Sequence, residues 1–259
     1  MEHLIAVART KYMRAVDGPE NDWRPPEGTH LFEGRRNVQA FACFEVVPLL
    51  TALNDTYSTD EHLVAYVMHR DGQRVPFQPR VAKDGLEYVR SQGFELFANV
   101  VVLDVDNDVP ADSEKERHAP WTPELVTEAE ARYARWRADG TLTWGIYHTS
   151  KGARFVQPLD RWIPIHQFEY QMRAFYERVM ALHREGERWR PDERCKDWTR
   201  HFRLPNVVRD GKDYRSPLVD FASMRPVTPA DPPAMPTSEP PIRERPRRPR
   251  AEPPTSFHD

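Results

Sequence analysis

The chain has 259 residues, a net charge of −3 from 37 Lys or Arg against 40 Asp or Glu, and a mean hydropathy of −0.76. That length holds one large domain or two small ones, and 39% apolar residues with seven Trp can furnish a core. No apolar run approaches the roughly 18 residues of a membrane span, the N-terminus lacks a charged region followed by a long apolar one, and Cys43 and Cys195 stand apart without CxxC spacing, so the expectation is a cytoplasmic protein with no membrane partner, no disulfide framework and no cysteine zinc site.

Residues 38–54 are apolar enough for a buried helix, with Pro48 as an objection. A strand is expected around 63–69, a short helix over 80–92 and a strand over 100–106. Thr122 and Pro123 form an N-cap and first-turn pair that opens a helix over 123–138, ending at Gly140. Residues 142–148 read as a strand, then a Ser-Lys-Gly turn, then 154–157 as its hairpin partner. Over 164–184, Phe168, Met172, Phe175, Val179 and Leu182 recur at helical spacing and mark a core face, stopped by Gly186. A last strand over 200–208 precedes the turn Arg209-Asp-Gly-Lys212. The folded region is expected to run from about residue 28 to 221. From Ala222 onward there are eleven prolines and the run Arg243-Glu-Arg-Pro-Arg-Arg-Pro-Arg250, which reads as a disordered tail or linker. Its basic stretch suits either weak phosphate contact or simple solubilisation. No internal repeat is present.

The most informative stretch is Asn99-Val-Val-Val-Leu-Asp-Val-Asp-Asn107. Four apolar residues give a buried strand, and strand alternation then points Asp104 and Asp106 the same way while Val105 turns back to the core. Adjacent carboxylates repel unless a cation sits between them, and oxygen-only ligation suits Mg²⁺ or Mn²⁺. The plainer alternative is a strand end entering an acidic loop.

Two further blocks carry chemistry. In Tyr147-His-Thr-Ser-Lys-Gly-Ala-Arg-Phe155 a turn offers backbone N–H groups, two hydroxyls and an ammonium, Gly152 allows close backbone approach, and Arg154 adds a planar fork; this suits a triphosphate, and it also describes an ordinary surface turn. No GxxxxGK[ST] occurs. The block from Trp189 to Gly211 places an acid, Asp192 or Asp197, ahead of Arg200, Arg203 and a strand over 202–204. A third carboxylate would complete a two-metal clamp, and the arginines suit phosphate or template backbone; a solvated edge strand with salt bridges is the alternative.

The order of the blocks resembles the archaeo-eukaryotic primase superfamily, in its plasmid and phage primase-polymerase branch. The resemblance covers about residues 95–212. It rests on the strand ending Leu103-Asp-Val-Asp106, the Ser-containing glycine turn, and Asp192 followed eight positions later by Arg200-His-Phe-Arg-Leu204. One departure stands out: Arg154 occupies the place of the family's His after the turn. His148, one residue before the turn's Thr149, faces with Ile146 and is expected to be structural.

The resemblance implies an α+β fold, with an RRM-like catalytic sheet packed against a second N-terminal α/β unit and the site in the cleft between them. It divides the chain into a catalytic domain over 1–221, with an N-terminal α/β unit to residue 95 and a motif-bearing core over 96–221, and a tail over 222–259. It implies template-directed nucleotidyl transfer that makes primers on single-stranded DNA. Asp104, Asp106 and Asp192 would hold two Mg²⁺ or Mn²⁺ ions. Ser150, Lys151, Arg154 and Arg203 would bind the NTP or dNTP, and Arg200 the nucleic acid. A replicative helicase, fused or recruited, is a further partner. If strands bind, Trp189, Trp198 and Tyr214 offer stacking surfaces, with burial in the core as the plainer role. The rival readings are an Asp-x-Asp glycosyltransferase, a metal-dependent nuclease, and a catalytically weak primase fold that binds single strands or recruits a helicase.

Overall fold

A short apolar run at 4–8, Leu-Ile-Ala-Val-Ala, opens the first strand, β1 (Leu4–Met13). The structure, a computed structural model, describes residues 1–13, 26, 27, 29, 38–107, 120–209 and 211–232. After β1 come β2 (Val38–Pro48), α1 (Leu49–Asn54), β3 (His62–Val64), β4 (Tyr66–Arg70), β5 (Gln73–Arg74), β6 (Phe77–Val81) and α2 (Leu86–Ser91). Then follow β7 (Phe94–Asp106), α3 (Pro123–Ala138), β8 (Gly145–His148), β9 (Gly152–Pro164) and α4 (Phe168–Met180). The remainder is β10 (Arg190–Pro191), β11 (Phe202–Arg203), β12 (Asn206–Arg209), β13 (Lys212–Arg215) and β14 (Val219–Asp220).

The architecture is mixed α+β, with two principal antiparallel sheets. The first runs β11-β3-β1-β2-β6. The second runs β14-β8-β9-β7-β4-β5, with β10 also paired to β7. Within the second sheet the segment β7–α3–β8–β9–α4–β10 has the spatial order β10-β7-β9-β8. Both helices cover one face of it: Trp136 of α3 packs edge-on against Phe155 of β9, and Phe175 of α4 against Trp144 just before β8. From the opposite face, Arg154 of β9 donates to the Arg203 carbonyl of β11 in the first sheet.

Buried polar side chains join the two sheets. Asn99 of β7 accepts from the Leu4 backbone N–H at 3.1 Å and donates to the Glu2 carbonyl at 2.9 Å. Gln78 of β6 accepts from Met68 N–H and donates to the Tyr66 carbonyl of β4.

Several sequence expectations change. The folded region begins at Leu4, because β1 is a central strand of the first sheet. Residues 38–54 form a strand and only then a helix, and the break falls at Pro48, which serves as the N-cap residue of α1. The strand expected at 63–69 splits at Ala65: β3 belongs to the first sheet and β4 to the second. The helix expected over 80–92 begins as the end of β6 and becomes α2 only at Leu86. The strand over 142–148 begins only at Gly145, its hairpin partner extends over Gly152–Pro164, and the helix over 164–184 narrows to Phe168–Met180. The strand over 200–208 divides at Leu204 and Pro205: β11 pairs with β3, whereas β12 pairs with β13. A division at residue 95 therefore separates no structural units, since β4 and β5 lie in the motif-bearing sheet and β11 in the other.

The helix over 123–138 matches its expected bounds, with Thr122 Oγ1 accepting from Leu125 N–H. The tail boundary moves. Residues 222–232 dock along β9 and α4: Val227 N–H donates to the Pro158 carbonyl, and Gln171 exchanges two hydrogen bonds with Ala230. Residues 233–259, with the basic run, lie outside the described residues.

Candidate active site

Residues directly opposed on antiparallel strands put their side chains on one face of the sheet. Asp104 opposes Arg154 of β9, and Arg154 opposes Tyr147 of β8. On the other side of β7, Arg190 and Pro191 oppose Asp106 and Val105, and Asp192 N–H donates to the Asp104 carbonyl at 2.9 Å. The register therefore lines up Asp192, Asp104, Arg154 and Tyr147 across four neighbouring segments. Asp106 lies one step along the same face, opposite Arg190 and Gly152.

Two guanidiniums sit among these acids. Arg200 donates from Nη1 to Asp192 Oδ2 at 2.7 Å, and its Nη2 is 3.5 Å from Asp104 Oδ2. Arg154 Nε is 3.5 Å from Asp104 Oδ1, an ion-pair separation too long for a hydrogen bond. Its Nη1 donates to the Arg203 carbonyl at 2.6 Å, and the Tyr147 hydroxyl donates to the same carbonyl at 2.8 Å. Burial pushes the Tyr147 phenol up to about 12, against the opposing pull of Arg154, so it remains a donor at working pH.

The turn that carries Asp192 is locally built. Asp192 caps the short 3₁₀ turn Glu193–Lys196 by accepting from Arg194 N–H at 2.9 Å. Burial raises its carboxyl, and the Arg194 N–H and the Arg200 guanidinium outweigh that, so it ionises below the usual carboxylate range. Cys195 on the same turn accepts from Asp104 N–H, and burial pushes its thiol up to about 12, which leaves it a packing group rather than a nucleophile. Asp197 points elsewhere: it accepts from Thr199 and pairs with Lys83. Asp192, not Asp197, joins the row.

The remaining predicted residues separate into two groups. Ser150, Arg154 and Arg203 line one small cleft with Tyr147, Arg209 and Tyr214. Lys151 is exposed, and its carbonyl accepts from Asn107 N–H. Arg203 is engaged with Asp60 through both Nε and Nη2, the second at 2.9 Å, and this pairing holds the Asp60 carboxyl below its usual range. Arg154 and Arg200, expected to grip phosphates or strands, are thus committed to acids in this conformation. Gly152 makes its close approach to β7 rather than to a ligand: a Cβ there would lie 2.2 Å from the Val105 carbonyl oxygen.

Sequence reasoning missed the supporting residues. Trp121 holds the 149–152 turn by donating from Nε1 to the Thr149 and Gly152 carbonyls at 2.7 and 3.2 Å. Its ring stacks at 3.8 Å on His148, which is fully buried on the helix-covered face with its Nε2 near the Tyr133 hydroxyl. Tyr147 was legible by alternation from Arg154; Asp60 and Trp121 carry no local signal. Trp189 and Trp198 are core residues whose rings a nucleic-acid strand does not reach. A second cavity of about 250 Å³ lies between α4 and the Asp192 turn, floored by Leu103, Met172 and Cys195.

The three carboxylates are donors of the kind a hard divalent cation takes. Among the described residues, however, no three His, Cys, Asp or Glu side chains are gathered closely enough to hold one. The space between Asp104 and Asp192 holds Arg200, so a cation fits there only with that guanidinium turned away.

No helix of the described residues is long and apolar enough to cross a membrane. No protein-family model matches the sequence, and a comparison with curated proteins finds no match. Among solved structures the chain is similar to the polymerase domain from Mycobacterium tuberculosis ligase D in complex with DNA. The identity is 13% and the TM-score 0.38, over 80% of this chain and 69% of that one. Likeness at that level carries no argument, and the functional reading rests on this chain's own residues.

Proposed function

We propose that this protein is a primase-polymerase that transfers nucleotides to a growing primer on a single-stranded DNA template. The observation that carries this reading is the register across β7: it brings Asp192, far away in sequence, directly opposite Asp104 and onto the face of Asp106. The strand order β10-β7-β9-β8 with both helices on one face supports it too, since that is the split βαβ order an RRM-like sheet would have.

Asp104, Asp106 and Asp192 would hold Mg²⁺ or Mn²⁺, which when bound supplies charge for the triphosphate and acidifies the attacking 3′-hydroxyl. The chain's own residues do the positioning. Ser150 and Arg209 line the small cleft that Arg154 shares, and their side chains would meet the phosphates of an NTP or dNTP at its mouth. Arg154 fixes the Asp104 carboxylate and stays charged at every relevant pH. Exposed Arg188, Arg190, Arg194 and Lys196 rim the segment that delivers Asp192, and a template backbone would lie along them. Catalysis on this plan is positioning and charge stabilisation.

Wild type, Asp104→Asn and Asp106→Asn, supplied with single-stranded DNA, Mg²⁺ or Mn²⁺ and labelled NTPs or dNTPs, test this. Short products are expected from wild type alone, with both variants still unfolding cooperatively. Products from either variant at the wild-type rate would remove the acids from the chemistry. A second reading draws on the same guanidiniums: acids closed by Arg154 and Arg200 also suit a protein that binds strands without synthesis. Tight strand binding with no product from wild type would favour it.

A further inference from the structure

Three carboxylates on one sheet face repel one another, and the resting fold must neutralise them. Arg154 and Arg200 meet two of them, Asp104 and Asp192, and the two arginines are not equivalent. Arg154 has a side chain 12% exposed, donates to the Arg203 carbonyl, and lies 6.0 and 5.7 Å from the rings of Tyr147 and Phe202. Arg200 is 28% exposed, and its guanidinium meets the two carboxylates and, at 5.8 Å, the ring of Phe202. The Arg200 backbone is set by a turn, its N–H donating to the Asp197 carbonyl at 3.1 Å. The head group can therefore move while its backbone stays in place.

The spacing of its contacts matters. With Nη1 at 2.7 Å from Asp192 and Nη2 at 3.5 Å from Asp104, one planar fork spans carboxylates from neighbouring segments. Those two carboxylates are also ones that would hold a divalent ion. We propose that Arg200 is a displaceable internal cation: it closes the Asp104–Asp192 pair in the resting protein and passes to the phosphates of a nucleoside triphosphate when that ligand brings a divalent ion to the acids. The proposal rests on the reading of these acids as a metal set.

Charge balance makes the exchange cooperative. A bare divalent ion must break the Arg200 contacts and leave the guanidinium to water. A bare triphosphate meets a face lined with carboxylates. Together they satisfy both sides, the ion taking the acids and Arg200 taking phosphate oxygens. The released head group has little distance to travel, because Arg200 and Arg154, which lines the cleft, meet the two oxygens of one carboxylate, Asp104. By linkage, the triphosphate strengthens ion binding by the same factor that the ion strengthens triphosphate binding.

Mn²⁺ binding without DNA, read from the free-ion EPR signal, tests this in wild type and Arg200→Gln. The variant is expected to bind Mn²⁺ roughly tenfold tighter than wild type when no nucleotide is present, and a non-hydrolysable dNTP analogue to tighten wild type by roughly tenfold and the variant by far less. Equal or weaker Mn²⁺ binding by the variant, with wild type binding, overturns the proposal and leaves the metal reading intact. No Mn²⁺ binding by either protein, with or without the analogue, overturns both. Arg200→Lys, whose single ammonium cannot span both carboxylates, serves if the glutamine variant does not fold: tighter binding than wild type supports the proposal, and unchanged binding overturns it.

Discussion

His148 sits one residue before the candidate phosphate turn, yet its ring faces away from it into the core. Burial, and then the nearby Arg132 guanidinium, lower its pKa to about 3. In the unfolded chain the same imidazole titrates near 6.5. Folding therefore selects the neutral ring. Its contribution is complete above the unfolded value and is lost as pH falls toward 3, at up to about 1.4 kcal/mol per pH unit. Denaturant unfolding of wild type and His148→Phe between pH 7 and 4 should give a shallower acid limb for the variant. The slope is the readout, so a constant loss from the orphaned Tyr133 hydroxyl does not obscure it. At this scale the acids were legible, because Asp104 and Asp106 close a run of three valines and a leucine, and β-branched residues of that kind favour a strand. Arg200 as a bridge was not: its partners come from two other segments, and only their register reveals that one guanidinium reaches both.

Between elements, the tightest approach is that of β9 to β7 at Gly152. A methyl group there would lie 2.2 Å from the Val105 carbonyl oxygen and 2.9 Å from the Asp106 Cα, backbone atoms of a paired strand that cannot step aside. Gly152→Ala should cost roughly 1–3 kcal/mol or more, as overpacking does, and should displace the strand end that carries Asp106. Thermal unfolding measures the first effect and the primer assay the second; an unchanged transition would mean that β9 can shift freely. Element types were readable where a local signal was strong, as at Thr122 and Pro123. They were misread where an apolar run served a strand paired on both sides. Residues 38–48 lie between β1 and β6, and a continuous apolar run of that kind does not distinguish a buried strand from a buried helix. Pro48 was the usable clue, since it marks the boundary between β2 and α1.

Across the whole molecule, the site depends on two sheets keeping their mutual position, and no single segment of sequence declares that. The chain passes from the first sheet to the second at Ala65, goes back for β6, crosses again for β7 and returns with β11, so the carbonyl that holds Arg154 and Tyr147 comes from a strand of the first sheet while those side chains belong to the second. From β11 the connection passes through β3 to β1, and β1 is fastened to β7 by Asn99. Asn99 is fully buried at the register shift between Ala98 and Val100, where its amide can turn toward β1. Removing it orphans the buried Leu4 N–H, a loss of about 1–3 kcal/mol. Asn99→Ala should therefore raise amide exchange in β1 and β11 while leaving the β7–β9 ladder protected. It should also lower primer synthesis, because Arg154 loses a fixed acceptor. Exchange rising equally in both sheets would show that Asn99 supports the core at large. Exchange unchanged in β1 would show that apolar packing alone holds the sheets together.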